Sequence, residues 1–329
     1  MECIFQVQGM LSEENKSKNY KGKIKKWQIT PPLALKTNHT FYFFLFTLYF
    51  LKLFTIHFSL KMTITSIVEN TSIVGMPVEH GLSLYIQLEN GHRILFDMGQ
   101  RRLFAENAER LGFDIADIDT AIVSHGHYDH GGGLRAFLEI NEKAKVYIHK
   151  DAFQPHYSLK EDGLKYIGID TDLQDNPRLI ECGSMTRLDD NMTLFADVNG
   201  ECCCPQGNRL LFGPSETQND FFSHEQNLII EENGNTILFA GCAHKGIINI
   251  MRKAEEVIGK TPTHVFAGLH LAKTPIDDAF ISTLAHELMN YDNCTIYTMH
   301  CTGTEQYQKL KAIMGNQIEY LSCGESAEI

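Results

Sequence analysis

Four residues with side chains that bind metal ions lie within six consecutive positions: His125, His127, Asp129 and His130. On an extended or turning backbone, His125 and His127 can converge on one ion, while Asp129 and His130 can reach a second ion nearby. Imidazole suits zinc, iron and manganese, and a carboxylate suits the harder ions. A lone histidine on a strand is more often structural. This dense run instead predicts two divalent metal ions, with zinc favoured and manganese or iron as alternatives.

Predicted secondary structure places this run at the end of a strand. Residues 120–124 form a short apolar segment that stops at His125, and the glycines after His130 allow the backbone to bend sharply near a bound ion. Asn90-Gly91 indicates a hairpin turn upstream. The hydrophobic pattern predicts further elements in this order: strands over 63–68, 82–88 and 93–97, helices over 101–112 and 134–141, strands over 146–149, 227–231 and 236–240, a helix over 247–258, a strand over 263–267, a helix over 277–290 and a strand over 294–299.

The order of these elements indicates the class of fold. Two consecutive strand–helix–strand passages near the end of the chain are typical of an α/β layered domain. The stretch from 151 to 220 has only weak strand signals, with Gly, Pro, Asn and Asp scattered through it. Because long loops inside a domain are usually functional or disordered, we predict a long insertion that could cover the site. The domain is predicted to span 62–329.

Residues 1–61 differ in composition and are predicted to be a non-core N-terminal extension. Residues 11–40 are rich in Lys and Asn, and 41–60 form an apolar run. The favoured interpretation is that translation starts at Met62, which opens directly onto a strand-like segment. A membrane anchor is the second interpretation, because about 20 apolar residues can cross a bilayer. A signal peptide is least favoured, because no small-residue cleavage site follows.

Charge and cysteine content narrow the class of partner. Residues 1–61 hold nine Lys and three Glu, a net charge of +6, so the remainder holds 20 basic and 38 acidic residues, a net charge of −18. Such an acidic body repels a phosphate backbone and argues against a nucleic-acid partner. A membrane is a partner only if 41–60 are a real anchor.

The nine cysteines, with three consecutive ones at 202–204, are expected to be free thiols in a reducing cytoplasm. The triplet is expected to be a small-residue loop.

The His125-x-His127-x-Asp129-His130 run resembles the signature of the metallo-beta-lactamase superfamily. Two nearby segments agree with it. Residues 94–99 (ILFDMG) resemble the strand of that family that ends in a buried Asp-x-Gly beside the metals, and residues 80–83 (HGLS) resemble the start of the preceding strand. The resemblance covers essentially all of 62–329 and implies an αββα sandwich with metal ions at the strand ends.

The later part of the chain departs from the commonest pattern of the superfamily, in which an Asp after a strand bridges two metals. Here Cys242 occupies that position and His244 follows two residues later. The resemblance favours His244 as a metal ligand. Cys242 is the less favoured ligand, with a buried small residue as its alternative role. The missing carboxylate weakens the expectation of a standard dinuclear centre.

Three more histidines lie next to predicted strands. His300 matches the position after a last strand that the superfamily often uses, and it is predicted to be a metal ligand. His270 is predicted to be catalytic and to meet the substrate, although either residue could close the site. His224 precedes a strand where many members place a ligand, but a surface histidine is the easier account. The other histidines are expected to be structural or exposed: His39, His57, His80, His92, His149, His156, His264 and His286.

The segments around Cys242, His270 and His300 resemble one branch more specifically, the 7,8-dihydropterin-6-methyl-4-(β-D-ribofuranosyl)aminobenzene-5′-phosphate synthases. That name implies the joining of a pterin pyrophosphate to a ribosyl-aminobenzene phosphate. Lys245, at the start of a predicted helix, could hold a phosphate with help from the helix N-terminus. A solvated surface lysine is the competing interpretation.

Three functions remain open from the sequence. The first is a hydrolase of a small phosphate- or ester-bearing metabolite, in which Asp129 orients a metal-activated water and accepts its proton. The second is the pterin-linked transferase, which would use the metal to polarise a pyrophosphate leaving group. The third is a non-catalytic metal-binding sensor. An iron-based redox role is disfavoured, because such members usually carry a carboxylate in place of His127. The first two imply a small, phosphorylated substrate.

Overall fold

The structure is a computed structural model that describes residues 61–272 and 277–329. Apart from Lys61, the predicted N-terminal extension lies outside the described residues, as does the candidate anchor at 41–60. Within the two described ranges, no helix has both the length and the apolar composition needed to cross a membrane.

Strands outnumber helices in the described residues. The 17 described strands are, in chain order, β1 (Thr63–Val68), β2 (Ser83–Gln87), β3 (Arg93–Phe96), β4 (Thr120–Val123), β5 (Lys145–His149), β6 (Tyr157–Lys160), β7 (Gly163–Tyr166), β8 (Leu179–Cys182), β9 (Met185–Arg187), β10 (Met192–Phe195), β11 (Leu211–Phe212), β12 (Asn227–Glu232), β13 (Asn235–Ala240), β14 (His264–Ala267), β15 (Thr295–Thr298), β16 (Ile318–Tyr320) and β17 (Ser326–Glu328). The described α-helices are α1 (Leu103–Arg110), α2 (Tyr128–Gly131), α3 (Leu134–Ile140), α4 (Ile247–Ile258), α5 (Asp278–Met289) and α6 (Thr304–Met314).

Two large sheets dominate the fold. The first has the strand order β17-β1-β2-β3-β4-β5-β8, and the second has the order β16-β15-β14-β13-β12-β10-β9. Parallel pairing joins β3, β4, β5 and β8 in the first sheet and β13, β14, β15 and β16 in the second. In open α/β sheets, ligands bind outside the carboxyl ends of such strands. These ends are therefore the place to look for a functional site.

The two sheets pack face to face, with helices on their outer faces. Between the sheets, Phe96 of β3 and Phe239 of β13 are fully buried, with ring centroids 5.9 Å apart. Burial of each such ring contributes about 1.5–3 kcal/mol. Helices α1 and α3 cover the first sheet through side chains that include Phe104 and Phe137, and α4, α5 and α6 cover the second. The predicted α/β class and αββα sandwich are confirmed.

The middle segment, predicted to be one long insertion, is only partly an insertion. Strand β8 pairs in parallel with β5 at the edge of the first sheet, while β9 and β10 extend the second sheet. The remainder includes a third, small sheet with the order β11-β6-β7. These strands have two to four residues each and lie among scattered Gly, Pro, Asn and Asp, without the apolar run that marks the equally short β4.

The last 30 residues add elements that the sequence pattern did not predict. Helix α6 and strands β16 and β17 follow β15, the last predicted strand. Strand β17 pairs antiparallel with β1 and places Glu328 opposite Thr63. A three-residue strand whose partner lies at the other end of the domain has no local signal, because tertiary pairing creates it.

Candidate metal centre

The parallel strands of both sheets end at one site. In the first sheet, Asp97 follows β3 and the run that contains His125 follows β4. In the second sheet, Cys242, His270 and His300 lie just after β13, β14 and β15. Asp97, His270 and His300 have positive φ angles of 62°, 48° and 51°. Non-glycine residues in this region cost about 1–3 kcal/mol each and cluster at functional sites.

Three histidine rings converge at these strand ends. The Nε2 atoms of His125, His127 and His244 are buried and have no hydrogen-bond partner among the described residues. Their ring centroids lie 4.6 to 5.0 Å apart. A buried polar atom without a partner costs about 1–3 kcal/mol. Such nitrogens on three neighbouring rings fit divalent cations, which accept lone pairs from imidazole.

Hydrogen bonds at the opposite ring nitrogens set the tautomers. The Nδ1 atom of His125 lies 2.9 Å from Ser124 Oγ, which donates its own hydrogen to Asp97 Oδ2 at 2.7 Å. The Nδ1 atom of His244 lies 3.1 Å from Asn208 Oδ1, and the Asn208 amide donates to the His244 carbonyl at 2.7 Å. Both Nδ1 atoms are therefore donors, so both Nε2 atoms carry lone pairs. Metal-ligating histidines are commonly oriented by such outer hydrogen bonds.

A second set of ligand candidates lies beside the first. The Nδ1 atom of His130 donates to Asp97 Oδ2 at 2.7 Å, and its Nε2 atom lies 3.2 Å from His300 Nε2. The Nδ1 atom of His300 lies 2.8 Å from Asn70 Oδ1. Asp129 Oδ2 is 3.6 Å from His300 Nε2. A cation bound between the Nε2 atoms of His130 and His300 would stabilise their close approach.

Burial and hydrogen bonding set the charge states in the site. Desolvation, reinforced by neighbouring histidines, holds the pKa of His125, His127 and His244 well below the ordinary value. These rings are therefore neutral, which is the form that binds metals. Desolvation alone would raise the pKa of Asp129, but a 3.0 Å hydrogen bond from His80 and nearby histidines hold it well below its usual range. Asp129 is thus an ionised carboxylate.

Cys242 is buried among these rings. Its Sγ atom lies 3.1 Å from His130 Nε2. It forms one candidate ligand group with His125 and His244 and another with His130 and His300, and the ligand atoms within each group lie within 4.8 Å of one another. Burial raises the pKa of the Cys242 thiol well above its ordinary value. We refer to these five residues as the Cys242 cluster.

Two glycines permit this close approach of backbone and side chains. A Cβ atom at Gly241 would overlap Ser124 Oγ, and one at Gly126 would overlap the carbonyl oxygen of Ala152. A larger residue at either position would displace β13 or the run of ligand candidates at 125–130. These glycines are therefore needed to bring the ligand candidates from both sheets together.

A second polar cluster adjoins His127 and is built on Asp220. The Oδ2 atom of Asp220 accepts hydrogen bonds from His156 Nδ1 at 2.9 Å and from His224 Nε2 at 3.3 Å. The Nδ1 atom of His224 accepts the backbone N–H of Gly126 at 2.9 Å. Burial would raise the pKa of Asp220, but the two histidine hydrogen bonds hold it well below its usual range. We refer to His156, Asp220 and His224 as the Asp220 cluster. Because both nitrogens of His224 are engaged, His224 supports the backbone at Gly126, within the run of ligand candidates.

The metal-ligand candidates His127, Asp129, His244 and His300 line one pocket. Its wall includes Tyr128, Ser158, Lys160 and His270. Ser158 and Lys160 belong to β6 of the small third sheet. The part of the middle segment that is a true insertion therefore covers the site, as the sequence analysis anticipated.

The structure brings together all the residues predicted to bind metal or to act in catalysis. They gather at the strand ends or line the pocket: His125, His127, Asp129, His130, His244, His270 and His300. Their roles as ligands or catalytic residues stay predictions. Lys245 is placed differently, because its Nζ donates to the carbonyl of Phe221 at 3.2 Å and the residue lines a neighbouring surface groove. It is not positioned to hold a phosphate in this pocket.

Sequence reasoning missed two histidines and an aspartate near the site. His80 and His156 were expected to be structural or exposed, but His80 contacts Asp129 in the pocket and His156 belongs to the Asp220 cluster. The available signal for His80 was its place in the 80–83 segment that resembles the family. His156 and Asp220 lie in the irregular middle segment and had no signal.

The consecutive cysteines at 202–204 are tied to helix α4. The backbone N–H and carbonyl of Cys202 both hydrogen-bond to the side chain of Asn249, at 3.2 and 3.0 Å. This contact fits the interpretation of a small-residue loop. Each of the eight cysteines that the structure describes is a free thiol.

Comparison with known proteins agrees with this architecture and site. The family model of the metallo-beta-lactamase superfamily matches residues 76–201. The uncharacterized protein MJ0448 of Methanocaldococcus jannaschii is 31% identical over 267 residues, which is 75% of this chain and 93% of that protein. The chain belongs to the metallo-beta-lactamase superfamily.

Two further similarities concern a synthase and a solved structure. The 7,8-dihydropterin-6-methyl-4-(beta-D-ribofuranosyl)-aminobenzene-5′-phosphate synthase of the same organism is 27% identical over 244 residues, which is 68% of this chain and 81% of that protein. The crystal structure of Tm1679, described as a metal-dependent hydrolase of the beta-lactamase superfamily, is 29% identical with a TM-score of 0.69. That match covers 82% of this chain and 99% of Tm1679. The predicted resemblance to the dihydropterin synthase branch is confirmed as a similarity.

Proposed function

We propose that this chain is a metal-dependent hydrolase that acts on a small phosphate- or ester-bearing metabolite. The observation that carries the proposal is that the neighbouring rings of His125, His127 and His244 each have a buried Nε2 atom that no described residue hydrogen-bonds. His127 and His244 line the same pocket as the ionised carboxylate of Asp129. A purely structural role does not account for three unsatisfied nitrogens, because each costs about 1–3 kcal/mol.

The proposed metal ligands come from both sheets. Two divalent ions, with zinc favoured, would be held by the following side chains: His125, His127, Asp129, His130, His244 and His300. Ions bound there supply the Lewis acidity that makes water nucleophilic near neutral pH and that stabilises charge on the substrate oxygens.

Two residues are proposed to act on the substrate or the attacking water. Asp129 orients the water and accepts its proton, while the hydrogen bond from His80 holds the carboxylate in place. His270 lines the pocket, and its buried Nδ1 atom has no partner in the described part of the chain. We assign it the contact with the reacting group of the substrate.

The pocket wall supports a small anionic substrate. Lys160 places a positive charge there, and Ser158 places a hydroxyl on the same strand. Phosphate oxygens accept hydrogen bonds from both kinds of group. The acidic surface of the chain opposes a long polyanion, but a small ester with one or two charges meets far less repulsion.

A pterin-linked transferase is the second candidate, and the 27% identity to the dihydropterin synthase favours it. Metal ions bound by the same ligand set would then polarise a pyrophosphate leaving group. Among the described residues that line the pocket, Tyr128 is the one aromatic ring besides the histidines. That is a small platform for stacking a pterin, so we prefer the hydrolase.

A non-catalytic sensor is the third candidate. It differs from the other two because it binds metal without turning over a substrate.

Elemental analysis of the full-length protein, purified without chelator, is the first test. We expect about two equivalents of zinc, manganese or iron. His127→Ala should lower this content, whereas the matched control His286→Ala, at an exposed position on α5, should leave it unchanged. Folded wild-type protein that neither holds nor takes up metal would contradict the proposal.

Substrate assays of the metal-loaded protein then separate the three candidates. The panel contains phosphate monoesters, carboxylic esters, and a pterin pyrophosphate together with a ribosyl-aminobenzene phosphate. Hydrolysis of an ester supports the hydrolase. A product that requires both members of the pterin pair supports the transferase, and bound metal without any turnover supports the sensor.

A further inference from the structure

Two histidines of the second sheet have a buried glutamate at their backbone. His244 follows β13, and its N–H donates to Glu225 Oε1 at 2.6 Å. His300 follows β15, and its N–H donates to Glu69 Oε1 at 2.6 Å. Both glutamates are buried. Because burying a carboxyl group is costly unless its oxygens are hydrogen-bonded, two glutamates at matching places indicate a shared role.

An asparagine adds two further contacts at each of these histidines. Asn208 Oδ1 lies 3.1 Å from the Nδ1 atom of His244, and its Nδ2 donates to the His244 carbonyl at 2.7 Å. Asn70 repeats both contacts at His300, with Oδ1 2.8 Å from Nδ1 and Nδ2 3.3 Å from the carbonyl oxygen. Because each amide donates to the carbonyl, its oxygen faces the ring and accepts the Nδ1 hydrogen. This tautomer places the lone pair of the ring on Nε2, where a metal would bind.

Each histidine is thus held at three points: its backbone N–H, its carbonyl and its ring. We call Glu225 with Asn208 the His244 clamp, and Glu69 with Asn70 the His300 clamp. Both clamps hold a strained turn, because Ala243, directly before His244, and His300 itself each have a φ angle of 51°. Strained residues persist only where the surrounding contacts over-determine their conformation. The clamps supply such contacts.

A third histidine of the same sheet is not held in this way. His270 follows β14, which lies between β13 and β15. Its N–H meets the Cys301 sulfur at 3.2 Å, and its buried Nδ1 atom has no partner among the described residues. Within the described part of the second sheet, the clamps therefore occur at the two strand-end histidines proposed to bind metal. They do not occur at the one proposed to contact the substrate.

We propose that the four clamp residues are positioning residues for two separate metal ions, one bound through His244 and the other through His300. The inference rests on the proposed function, because it requires a centre with two ions. The two clamps share no residue, so each fixes the direction of one Nε2 lone pair independently of the other. Damage to one clamp should therefore weaken one ion and spare the other.

Zinc titration of the full-length protein tests the proposal without an activity assay. Protein stripped with a chelator is titrated with Zn²⁺ against a metal-sensitive dye, which gives an affinity for each of the roughly two equivalents. Glu225→Gln and Asn208→Ala should each weaken one equivalent by about 10–100-fold, the usual effect of removing a partner of a metal-ligating histidine. Glu69→Gln and Asn70→Ala should have the same effect on the other equivalent.

Variants that keep a single ion assign each clamp to its ion. His300→Ala should retain one equivalent, which the addition of Glu225→Gln should weaken and the addition of Glu69→Gln should not. In His244→Ala the two results should be exchanged. A merely structural role of the glutamates would not give this exchange, because a general loss of stability lowers the affinity in either background.

Asn141→Ala is the matched control for a structural effect. Asn141 is fully buried and accepts the backbone N–H groups of Lys143 at 3.0 Å and Ala144 at 2.7 Å. These contacts hold a turn outside the metal centre. The substitution should lower the free energy of unfolding and leave both zinc affinities unchanged.

The possible failures are distinguishable. Clamp variants that change neither affinity, or that weaken both ions equally, overturn the clamps and leave the proposed function standing. Wild-type protein that binds a single equivalent also overturns them, because a metal-dependent hydrolase can work with one ion. Folded wild-type protein that takes up no zinc overturns the inference and the proposed function together. If a glutamate variant fails to fold, the asparagine variant of the same clamp decides.

Discussion

The Cys242 cluster and the Asp220 cluster use the same residue types in opposite arrangements. In the Cys242 cluster the hydrogen-bond acceptors, such as Asp97 and Asn208, lie outside the ring of histidines, so the Nε2 atoms face inward. In the Asp220 cluster the acceptor lies between two histidines and satisfies a nitrogen of each. The first arrangement leaves lone pairs for metal ions, whereas in the second Asp220 satisfies one nitrogen of each histidine, although these three residues also form a candidate ligand group with His127.

The difference shows that a buried histidine with one ring nitrogen hydrogen-bonded can bind a metal only if its other ring nitrogen is not also engaged. His224 has both nitrogens engaged and supports the backbone at Gly126. His156 is the intermediate case, because Asp220 holds its Nδ1 atom while its buried Nε2 atom has no partner among the described residues. Four substitutions test this distinction, from the largest expected effect to the smallest.

His130→Ala should have the largest effect, because it removes a proposed ligand at the centre of the Cys242 cluster. We expect loss of one metal equivalent and a fall in kcat/KM of about 10²–10⁴-fold, the range for a group that acts directly on the transition state. The counterpart His156→Ala should keep its metal. Elemental analysis and kinetics check both variants. Equal metal loss in His156→Ala would indicate that the Asp220 cluster binds one ion. It would contradict the distinction between the two clusters.

Asp97→Asn should weaken metal binding by about 10–100-fold, the usual effect of removing the partner of a metal-ligating histidine. Asp97 is fully buried and accepts hydrogen bonds from His130 and Ser124. Competition with a metal-sensitive dye measures the affinity. The control is Asp119→Asn, which removes a carboxylate that pairs with Lys143 outside the site. An unchanged affinity in Asp97→Asn would show that the outer hydrogen bonds do not orient the ligands.

Asp220→Asn should mainly affect stability. The amide oxygen can take the place of Oδ2 and accept from both histidines, but the NH₂ group then faces the backbone N–H of Phe222, which Oδ1 accepts at 2.7 Å, and leaves that donor unsatisfied. We expect the free energy of unfolding to fall by about 1–3 kcal/mol, with metal affinity close to that of the wild type. Denaturant unfolding and the dye competition measure the two quantities. A loss of affinity as large as that of Asp97→Asn would mean that the clusters act as one unit.

His224→Gln should have the smallest effect, because it removes the acceptor of the Gly126 N–H and one hydrogen bond to Asp220. The expected loss is about 0.5–1.5 kcal/mol for each bond that glutamine does not replace. Metal stoichiometry should be unchanged. Elemental analysis is again the measurement. Loss of one equivalent would identify His224 as a ligand, the role that many superfamily members give to the histidine at this position.

Regular elements were predictable where their pattern is long. The predicted strand over 63–68 and helix over 247–258 coincide with β1 and α4, because six to twelve residues are enough for a period to show. Strands β9, β11 and β17 have two or three residues each and went unpredicted. Their partners in the sheets, not their own sequences, make them strands.

The amino-acid sequence by itself predicted the ligand candidates of 125–130 and the family, because four such residues within six positions can be recognised without knowledge of the fold. Only the tertiary structure decided which other residues join them. Cys242 reaches His130 and His300 because parallel strands of two sheets end at the same edge. The hydrogen-bond partners that orient each ring come from distant parts of the chain. Whether a histidine can bind a metal depends on which of its nitrogens is already engaged, and that is settled by contacts that exist only in the folded protein.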